Sequence, residues 1–311
     1  MEYGLIGEHL GHSRSVEIHG MIAPYRYELR ELAPDELGPF LKARQFKGLN
    51  VTIPYKEAVI PYLDELSPET QTIGAVNTIL HSDGKLVGFN TDYYGFSALA
   101  AHADIKFAGK SVLILGAGGA AKAVRAVATN EGASRIVNAV RHYSKDVLAD
   151  KHGPCRTIGN SLNRTAESER PSNIDNDTDW QIQSVLGNQY IECLYKSLQY
   201  EDYEIIVNAT PVGMYPNERQ CLLDLRNFPK LCGVLDCVYN PEQTLLVKEA
   251  KKLGIPADGG LFMLVAQAVR ASAIFTGNVG EKSAGEVVEL SQVEKIYDYM
   301  RKMHNFATAF D

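Results

Sequence analysis

The chain has 311 residues, and its 31 Lys and Arg against 38 Asp and Glu give a formal net charge of −7. This acidic balance disfavours a nucleic-acid or membrane-surface partner, since both require a basic face. No run approaches the roughly 18 apolar residues of a membrane span, and early charges interrupt any signal peptide. We therefore expect a cytoplasmic protein of two domains.

Short apolar strands alternate with amphipathic helices through the first hundred residues. The sequence predicts strands at 3–7, 25–32, 49–53, 75–80 and 86–89. It predicts a helix from Pro54 to about Leu66, and another from the Asn90-Thr91-Asp92 segment to about His102. A Ser82-Asp83-Gly84 turn joins the last two strands, because Asp-Gly favours tight hairpins. Alternation of this kind predicts an α/β sheet.

A second α/β pattern begins at Ser111. The continuous apolar strand at 111–115 is typical of a buried parallel strand, and a glycine-rich loop and a helix to about Thr129 follow it. The other predicted elements are strands at 136–140, 205–208, 234–237 and near Ile255, and helices at 265–275 and after 282. This pattern predicts a Rossmann-type, doubly wound dinucleotide-binding domain.

One polar segment interrupts the pattern between about residues 153 and 188. Thr178 is suited to cap a short helix through Leu186, with Ile182 and Val185 on one face and Gly187 beyond its end. We interpret the segment as a surface insertion rather than as a source of catalytic residues.

The loop at residues 116–121 is Gly-Ala-Gly-Gly-Ala-Ala, between a strand and a helix. Such a loop turns tightly, brings the backbone close to a pyrophosphate and lets the helix pack closely, so it predicts dinucleotide binding rather than a simple turn. Arg141 follows the next strand, where an NAD enzyme usually has an acid, and its guanidinium suits the 2′-phosphate of NADP. An exposed basic loop is the alternative for Arg141, and NAD stays possible.

The cysteines and histidines do not indicate a metal site. The five cysteines fit no common zinc spacing. No nearby acid completes a site with the histidines at 9, 12 and 19. The sequence therefore predicts reduced thiols and no metal.

Two charged residues of the first half are suited to catalysis. Lys56 lies in the first turn of a predicted helix, where the positive helix end suits it to proton transfer, although a surface lysine is the alternative. Asp92 lies at a helix start, where capping and catalysis fit equally well. Neither residue is decisive alone.

Four uncharged polar residues also have two interpretations each. Ser13 and Ser15 either bind a ligand carboxylate or cap the helix that follows them. Thr52 and Asn77 lie in predicted strands, where they either bind a ligand or face solvent. Their meaning depends on the motifs around them.

Seven motifs follow one another along the chain. They are His12-Ser-Arg-Ser15, Asn50-Val-Thr-Ile-Pro-Tyr-Lys-Glu57, Gly74-Ala-Val-Asn-Thr78, Gly88-Phe-Asn-Thr-Asp92, Gly116-Ala-Gly-Gly-Ala-Ala121, Asn208-Ala-Thr-Pro-Val-Gly-Met214 and Gly260-Leu-Phe-Met-Leu-Val-Ala-Gln267. In this order they closely resemble shikimate dehydrogenase, over nearly the whole chain except the insertion. The resemblance implies NADP-dependent interconversion of 3-dehydroshikimate and shikimate, on the route to chorismate and aromatic amino acids.

The resemblance also implies roles for individual residues. Lys56 and Asp92 flank the reacting hydroxyl as the catalytic pair. The residues implied to bind substrate are Ser13, Ser15 and Tyr239 at its carboxylate and Thr52, Asn77 and Gln267 at ring hydroxyls. Those implied to bind the cofactor are Gly116, Gly118, Gly119, Ala120, Ala121, Arg141, Asn208, Thr210, Met214 and Gly260.

The same resemblance implies the domain organisation. Residues 1–92 and 260–311 form an N-terminal α/β domain that binds substrate and carries the catalytic pair. Residues 93–259 form the NADP-binding Rossmann domain, with the insertion near 153–188. The helices after Gly260 return to pack on the first domain.

Departures from the family pattern leave two alternatives open. His9 and Val16 stand where the family commonly has proline, Tyr93 replaces a usual glycine, and Arg141 aligns only after a one-residue shift. One alternative is a quinate/shikimate dehydrogenase that uses NAD. The other is a non-catalytic, ligand-sensing relative, against which the retention of both members of the catalytic pair argues.

Overall fold

The computed structural model describes residues 1–11, 13–140, 181–186, 189–194, 202–277 and 290–307, with backbone only at 181–186, 189–194 and 304–307. Arg141, Thr178 and most of the polar insertion lie outside these ranges. Two sheets with helices on their faces confirm the predicted α/β class. Among the described residues, no helix is both long and apolar enough to cross a membrane.

The first sheet has six strands and is mixed. Its elements are β1 (Tyr3–Gly7), α1 (Ser15–Ile22), β2 (Tyr27–Glu31), α2 (Pro34–Ala43), β3 (Gly48–Val51), α3 (Tyr55–Ala58), β4 (Glu65–Leu66), α4 (Pro68–Ile73), β5 (Thr78–Ser82), β6 (Lys85–Phe89) and α5 (Thr91–His102). The strand order is β2-β1-β3-β5-β6-β4, with β1 parallel to both of its neighbours and β5 antiparallel to both of its own. Asp83 and Gly84 have φ values of 51° and 75°, which confirms the predicted hairpin turn.

The second sheet has seven strands. Its elements are β7 (Ser111–Leu115), α6 (Gly119–Asn130), β8 (Arg135–Val140), β9 (Gln181–Leu186), β10 (Gln189–Leu194), β11 (Ile205–Asn208), β12 (Gly233–Asp236), α7 (Leu245–Lys252) and β13 (Ala257–Asp258), followed by the helices α8 (Leu261–Phe275) and α9 (Leu290–Ala307). The order is β10-β9-β8-β7-β11-β12-β13, and the five strands β8, β7, β11, β12 and β13 run parallel to one another. The strand order reverses between β7 and β11, so a ligand crevice is expected at their carboxyl ends.

Helices α8 and α9 share a buried core with elements of both halves of the chain. Val265 of α8 and Val293 of α9 belong to the same buried apolar cluster as Phe96 of α5 and Ile114 of β7. The C-terminal helices therefore pack back on elements of the first half, as the resemblance implies. The domain boundaries themselves stay predictions.

Helix α8 also covers one face of the first sheet. Side chains alternate between faces along a strand, so Leu5 of β1 packs against Ala271 and Phe275 of α8. Its neighbour Ile6 points the other way and packs with Leu41 of α2. The first sheet is thus covered on one face by α2, its own neighbour in sequence, and on the other by α8.

The helix predicted from Pro54 to Leu66 is wrong in its extent. Helix α3 ends at Ala58, and a short 3-10 turn at Ile60–Tyr62 precedes β4. Pro61 explains the difference, because proline has no N–H to continue the helix and its ring clashes with the preceding turn.

The short helix predicted through Leu186 is also wrong. Gln181–Leu186 is a strand that pairs antiparallel with β8 and with β10. Polar and apolar residues alternate at its start, and a Gly187-Asn188 dipeptide separates the two strands, which is a hairpin signal rather than a helix end. The end of the insertion therefore extends the second sheet.

Candidate active site

Lys56 of α3 and Asp92 of α5 form a close ion pair. The Nζ atom of Lys56 lies 2.6 Å from Oδ2 of Asp92, and their side chains are only 17% and 8% exposed. The surface interpretation of Lys56 is therefore wrong. Helix α5 is capped by Asn90, whose Oδ1 accepts a hydrogen bond from the N–H of Tyr93 at 3.2 Å. Because Asn90 is the cap, the carboxylate of Asp92 is available to Lys56.

Lys56 is held from two further sides. Its carbonyl oxygen accepts a 2.7 Å hydrogen bond from the N–H of Val76. Its side chain lies against the glycine loop, where a Cβ on Gly119 would come within 2.8 Å of Lys56 Cδ. A Cβ at this position would therefore push the Lys56 side chain aside, and the predicted catalytic lysine lies beside the predicted cofactor loop.

A buried polar cluster lies next to this pair. Asn77 precedes β5 and is 3% exposed, so its solvent-facing interpretation is wrong. Its Oδ1 accepts the N–H of Thr91 at 2.7 Å, and its Nδ2 donates to Thr91 Oγ1 at 3.0 Å. Thr91 Oγ1 in turn donates to Gln267 Oε1 at 3.3 Å. These contacts bring β5, α5 and α8 together and place two predicted hydroxyl-binding residues side by side.

The cluster continues into the first sheet through residues that the sequence did not single out. Tyr27 donates to Asn50 Oδ1 at 2.7 Å, and Asn50 Nδ2 donates to Thr78 Oγ1 at 3.0 Å. Asn50 and Thr91 stand inside the quoted motifs, which was the available signal for them. Thr52 follows β3 and is half-buried, and its N–H is held by Ile6 O at 3.0 Å.

The two serines lie together at the start of α1. Their Oγ atoms are 3.1 Å apart, and Ser13 Oγ accepts the N–H of Ser15 at 3.3 Å. Helix α1 has Arg14 as its N-cap residue and no side-chain cap, so Ser15 is not a capping residue. The positive end of the helix and two hydroxyls make this a suitable place for a carboxylate.

Tyr239 is half-buried within electrostatic reach of this segment. Burial raises the pKa of its phenol, and the positive charge of Arg14 partly opposes that rise. Arg14 itself pairs with Glu17 at 2.9 Å. The structure therefore brings the third predicted carboxylate-binding residue close to the first two.

The glycine loop has the geometry that a pyrophosphate needs. Gly116 has a φ of 111°, and a Cβ there would lie 2.9 Å from Ala209 O, so only glycine fits without strain. At Gly118, the residue before α6, a Cβ would meet open space. Ala120 is half-buried and Ala121 fully buried under the helix. The first N–H groups of α6, which have no acceptor within the helix, thus lie beside the exposed residues 117 and 118 of the loop.

A second loop, which follows β11, lies against the glycine loop near Gly116. Asn208 is 2% exposed and holds the loop from below, donating to Val212 O at 3.1 Å and accepting from Thr210 Oγ1 at 2.7 Å. Met214 projects from it and is 41% exposed. Asn208 therefore supports the loop, while Met214 offers an apolar surface to a ligand.

Asp236 anchors this loop from beneath and was not found from the sequence. Its carboxylate accepts hydrogen bonds from Asn208 Nδ2 at 2.9 Å, Val238 N–H at 2.9 Å and Thr244 Oγ1 at 2.7 Å. Burial nevertheless raises the pKa of Asp236 to about 7, and these three hydrogen bonds oppose the rise. No local motif distinguishes such an acid from a surface residue.

Gly260 begins α8 beside the end of β12. A Cβ on Gly260 would collide with the carbonyl oxygen of Cys237. Burial raises the pKa of the Cys237 thiol, and the negative charges of Asp236 and Asp92 add to the effect. Gly260 therefore lies against Cys237, and the thiol of Cys237 lies within electrostatic reach of Asp92.

One predicted cofactor residue, Arg141, falls outside the described residues. Within the described ranges, no three His, Cys, Asp or Glu side chains are placed to hold a metal ion. All the other predicted site residues lie in the described part of the chain.

Comparison with known proteins decides the family. Residues 5–79 match a family model described as the shikimate dehydrogenase substrate binding domain. A shikimate dehydrogenase (NADP(+)) of Clostridium perfringens strain SM101 is 36% identical over 292 residues, covering 91% of this chain and 95% of that protein. The chain belongs to the shikimate dehydrogenase family.

Solved structures agree with this assignment. A shikimate dehydrogenase from Peptoclostridium difficile has a TM-score of 0.75 at 29% identity, covering 98% of this chain and 99% of its own. A shikimate 5-dehydrogenase from Thermus thermophilus, solved with NADP(H) and shikimate, has a TM-score of 0.69 at 27% identity, covering 96% and 99%. As a member of this family the chain is an oxidoreductase, and neither the NAD-dependent quinate enzyme nor the non-catalytic sensor is favoured.

Proposed function

We propose that the chain catalyses the reversible, NADP-dependent interconversion of 3-dehydroshikimate and shikimate, on the route to chorismate and aromatic amino acids. The observation that carries this proposal is the 2.6 Å contact of Lys56 with Asp92, beside Gly119 of the glycine loop. Relatives named shikimate dehydrogenase (NADP(+)) support the substrate and the cofactor. A cytoplasmic location and a monomeric or homodimeric state belong to the same proposal.

The residues present fit NADP. Open space at Gly118 and the positive φ of Gly116 suit a pyrophosphate at the start of α6. We assign the pyrophosphate to residues 116–121, and further parts of the cofactor to Thr210, Met214 and Gly260. When bound, NADPH supplies a hydride to the ring carbonyl carbon of 3-dehydroshikimate.

Lys56 moves the proton in this proposal. In reduction, its ammonium group gives a proton to the carbonyl oxygen, which becomes the new hydroxyl; in oxidation, the neutral amine takes that proton from the hydroxyl. Asp92 holds Nζ at 2.6 Å and so fixes the direction of the amine. The low exposure of both side chains limits the water that competes for the proton.

One set of residues binds the substrate's carboxylate in this proposal, and another set binds its ring hydroxyls. Ser13 and Ser15 donate to the carboxylate, with Tyr239 nearby. Thr52, Asn77 and Gln267 bind ring hydroxyls, and the last two are already joined through Thr91. This division requires a substrate with a carboxylate at one end and a ring alcohol or ketone at the other.

Initial rates with four substrate and cofactor combinations test the proposal: shikimate or quinate, each with NADP⁺ or NAD⁺. We expect the highest kcat/KM for shikimate with NADP⁺. Absence of turnover in all four combinations would contradict it and favour the sensor alternative. A higher kcat/KM with quinate and NAD⁺ would favour the other alternative.

Arg141 is proposed to select NADP over NAD. The 2′-phosphate carries up to two negative charges, whereas the 2′-hydroxyl carries none. Arg141→Ala should therefore weaken the binding of NADP⁺ by roughly ten- to a hundredfold and leave the binding of NAD⁺ nearly unchanged. KM and kcat for both cofactors measure this. A change below about threefold in the NADP⁺/NAD⁺ ratio of kcat/KM shows that another residue sets the preference.

A further inference from the structure

An ion pair one residue beyond Lys56 joins α3, in the first sheet's part of the chain, to α6, in the second sheet's part. Glu57 is the next residue of α3, and its Oε2 lies 2.7 Å from Nζ of Lys122 in α6. The Lys122 side chain is 24% exposed and that of Glu57 is 55% exposed. The pair thus joins the helix that carries the catalytic lysine to the helix that begins at the glycine loop.

Lys122 occupies an electrostatically unfavourable position without such a partner. It lies in the first turn of α6, and its N–H donates to Gly118 O at 3.0 Å. The start of a helix carries partial positive charge, so a lysine there is destabilising unless an anion lies close. Glu57 is that anion, and it comes from α3, a helix that belongs to the first sheet's part of the chain.

Helix α3 depends on contacts with its neighbours for its position. It is a single turn of four residues, too short to be stable by its own hydrogen bonds. Tyr55 fastens its far side, where the phenol donates to Leu32 O at 2.6 Å. On the side that faces the glycine loop, the Lys56 side chain lies so near Gly119 that a Cβ there would come within 2.8 Å of Lys56 Cδ, and Glu57 pairs with Lys122.

We propose that the Glu57–Lys122 ion pair is a positioning device for Lys56. It fastens α3 to α6, so that the amine of Lys56 keeps its place relative to the cofactor loop. Neither residue is a catalytic residue, since neither contacts the reacting atoms. The inference rests on the proposed function for its kinetic consequences, but its structural consequence, a loosened α3, is measurable without any substrate.

The kinetic test uses Glu57→Gln, Lys122→Gln, the double variant and Lys122→Arg. Displacing a catalytic group by ~1 Å can cost ~100-fold in rate, so release of one side of α3 should lower kcat by roughly three- to tenfold, with KM for shikimate nearly unchanged. The double variant should lose no more than either single variant, because the pair acts as one unit. Lys122→Arg keeps the charge and should retain most of kcat.

Salt provides an independent readout. The pair is partly exposed, so added NaCl screens its attraction. The kcat of the unmodified chain should therefore fall, as NaCl is added, toward the kcat of Glu57→Gln. The kcat of Glu57→Gln itself should change little with salt. Lys252→Gln is the matched control, because it breaks an exposed 2.6 Å pair with Glu249 inside α7 without joining the sheets. It should leave kcat and its salt dependence unchanged.

Amide hydrogen exchange at residues 55–59 separates this inference from the proposed function. Faster exchange there in Glu57→Gln and Lys122→Gln, but not in Lys252→Gln, is expected even if the chain does not turn over shikimate. Unchanged exchange at 55–59, or kcat losses that multiply in the double variant, would overturn the positioning role. A uniform drop in melting temperature with equal rises in both KM values would also overturn it.

Discussion

Asn90 and Asp92 lie two residues apart, and either side chain is a good helix cap. Local pattern cannot choose between them, because capping depends on which residue has the non-helical backbone. In the structure Asn90 has extended φ and ψ values and accepts the N–H of Tyr93, while Asp92 is already helical. That single choice turns Asp92 toward Lys56 and makes a proton-transfer pair possible.

Replacing Lys56 by alanine tests this pair directly. Loss of general acid–base help should lower kcat by ~100-fold or more, with a smaller change in KM for shikimate. Lys106→Ala is a suitable control, since that lysine is 86% exposed and only loosely paired with Asp104 at 3.8 Å. A Lys56→Ala variant with near-normal kcat would remove Lys56 from the mechanism.

The serine pair makes a different prediction, on binding rather than on rate. Replacing both Ser13 and Ser15 by alanine removes two donors to a charged group, each worth ~1.5–3 kcal/mol, so KM for shikimate should rise far more than KM for NADP⁺. Because Ser13 Oγ also accepts the N–H of Ser15, the melting temperature should be recorded alongside. Equal rises in both KM values would indicate misfolding instead.

At the scale of elements, the close approach of α5 and α8 sets the position of Gln267. A Cβ on Gly95 would lie 2.7 Å from Met263 O and 2.9 Å from Gln267 Cβ. Both atoms belong to the framework of α8, so the helix itself must move to admit a methyl group. The glycine is therefore required by packing, in a helix that otherwise favours alanine.

Gly95→Ala should consequently destabilise the fold and raise KM for shikimate, since it displaces Gln267. Overpacking of this kind costs about 1–3 kcal/mol. Gly20→Ala in α1 is the matched control, because a Cβ there meets nothing within 4 Å and should add about 1 kcal/mol of helix propensity. Urea unfolding and steady-state kinetics measure both effects. Equal stability changes in the two variants would show that α5 and α8 tolerate separation.

Elements also show where sequence patterns suffice and where they fail. The Asp83-Gly84 turn and the strand at 111–115 follow from local chemistry, and both were predicted. The apolar helical face of residues 58–63 predicts a longer α3 than the structure has, because Pro61 ends the helix that this face would otherwise continue. Asp236 and the Asn50–Thr78 contact were missed, because each depends on partners distant in sequence that only the folded sheets bring together.

At the scale of the whole molecule, two buried titratable groups, His19 and Asp236, change the free energy of unfolding with pH in opposite directions. Burial lowers the pKa of His19 to about 3, against an unfolded value of about 6.5, and the hydrogen bond that the imidazole donates to Asn50 opposes this shift. The stability that its neutral form contributes is present above about pH 6.5 and is lost as pH falls toward about 3. Asp236 has a raised pKa of about 7, so the contribution of its protonated form is full below about pH 4 and is lost as pH rises through about 7.

Asp236→Asn should therefore flatten the fall of unfolding free energy between about pH 4 and 7, an effect of roughly 4 kcal/mol at most. His19→Gln should flatten the opposite slope on the acid side and leave the neutral side unchanged. Urea unfolding at a series of pH values distinguishes the two. An Asp236→Asn curve parallel to that of the unmodified chain between about pH 5 and 7 would show that the acid is already ionised there.

Helix α8 covers one face of the first sheet, but it is synthesised long after the strands of that sheet. Domains usually fold in order as they leave the ribosome, the N-terminal part first. All strands of the first sheet are complete by Phe89, yet the helix that covers Leu5 and Phe89 begins only at Leu261. Until α8 has been synthesised, one apolar face of that sheet has no cover. We therefore expect the first half of the polypeptide to need protection on the ribosome and to mature last.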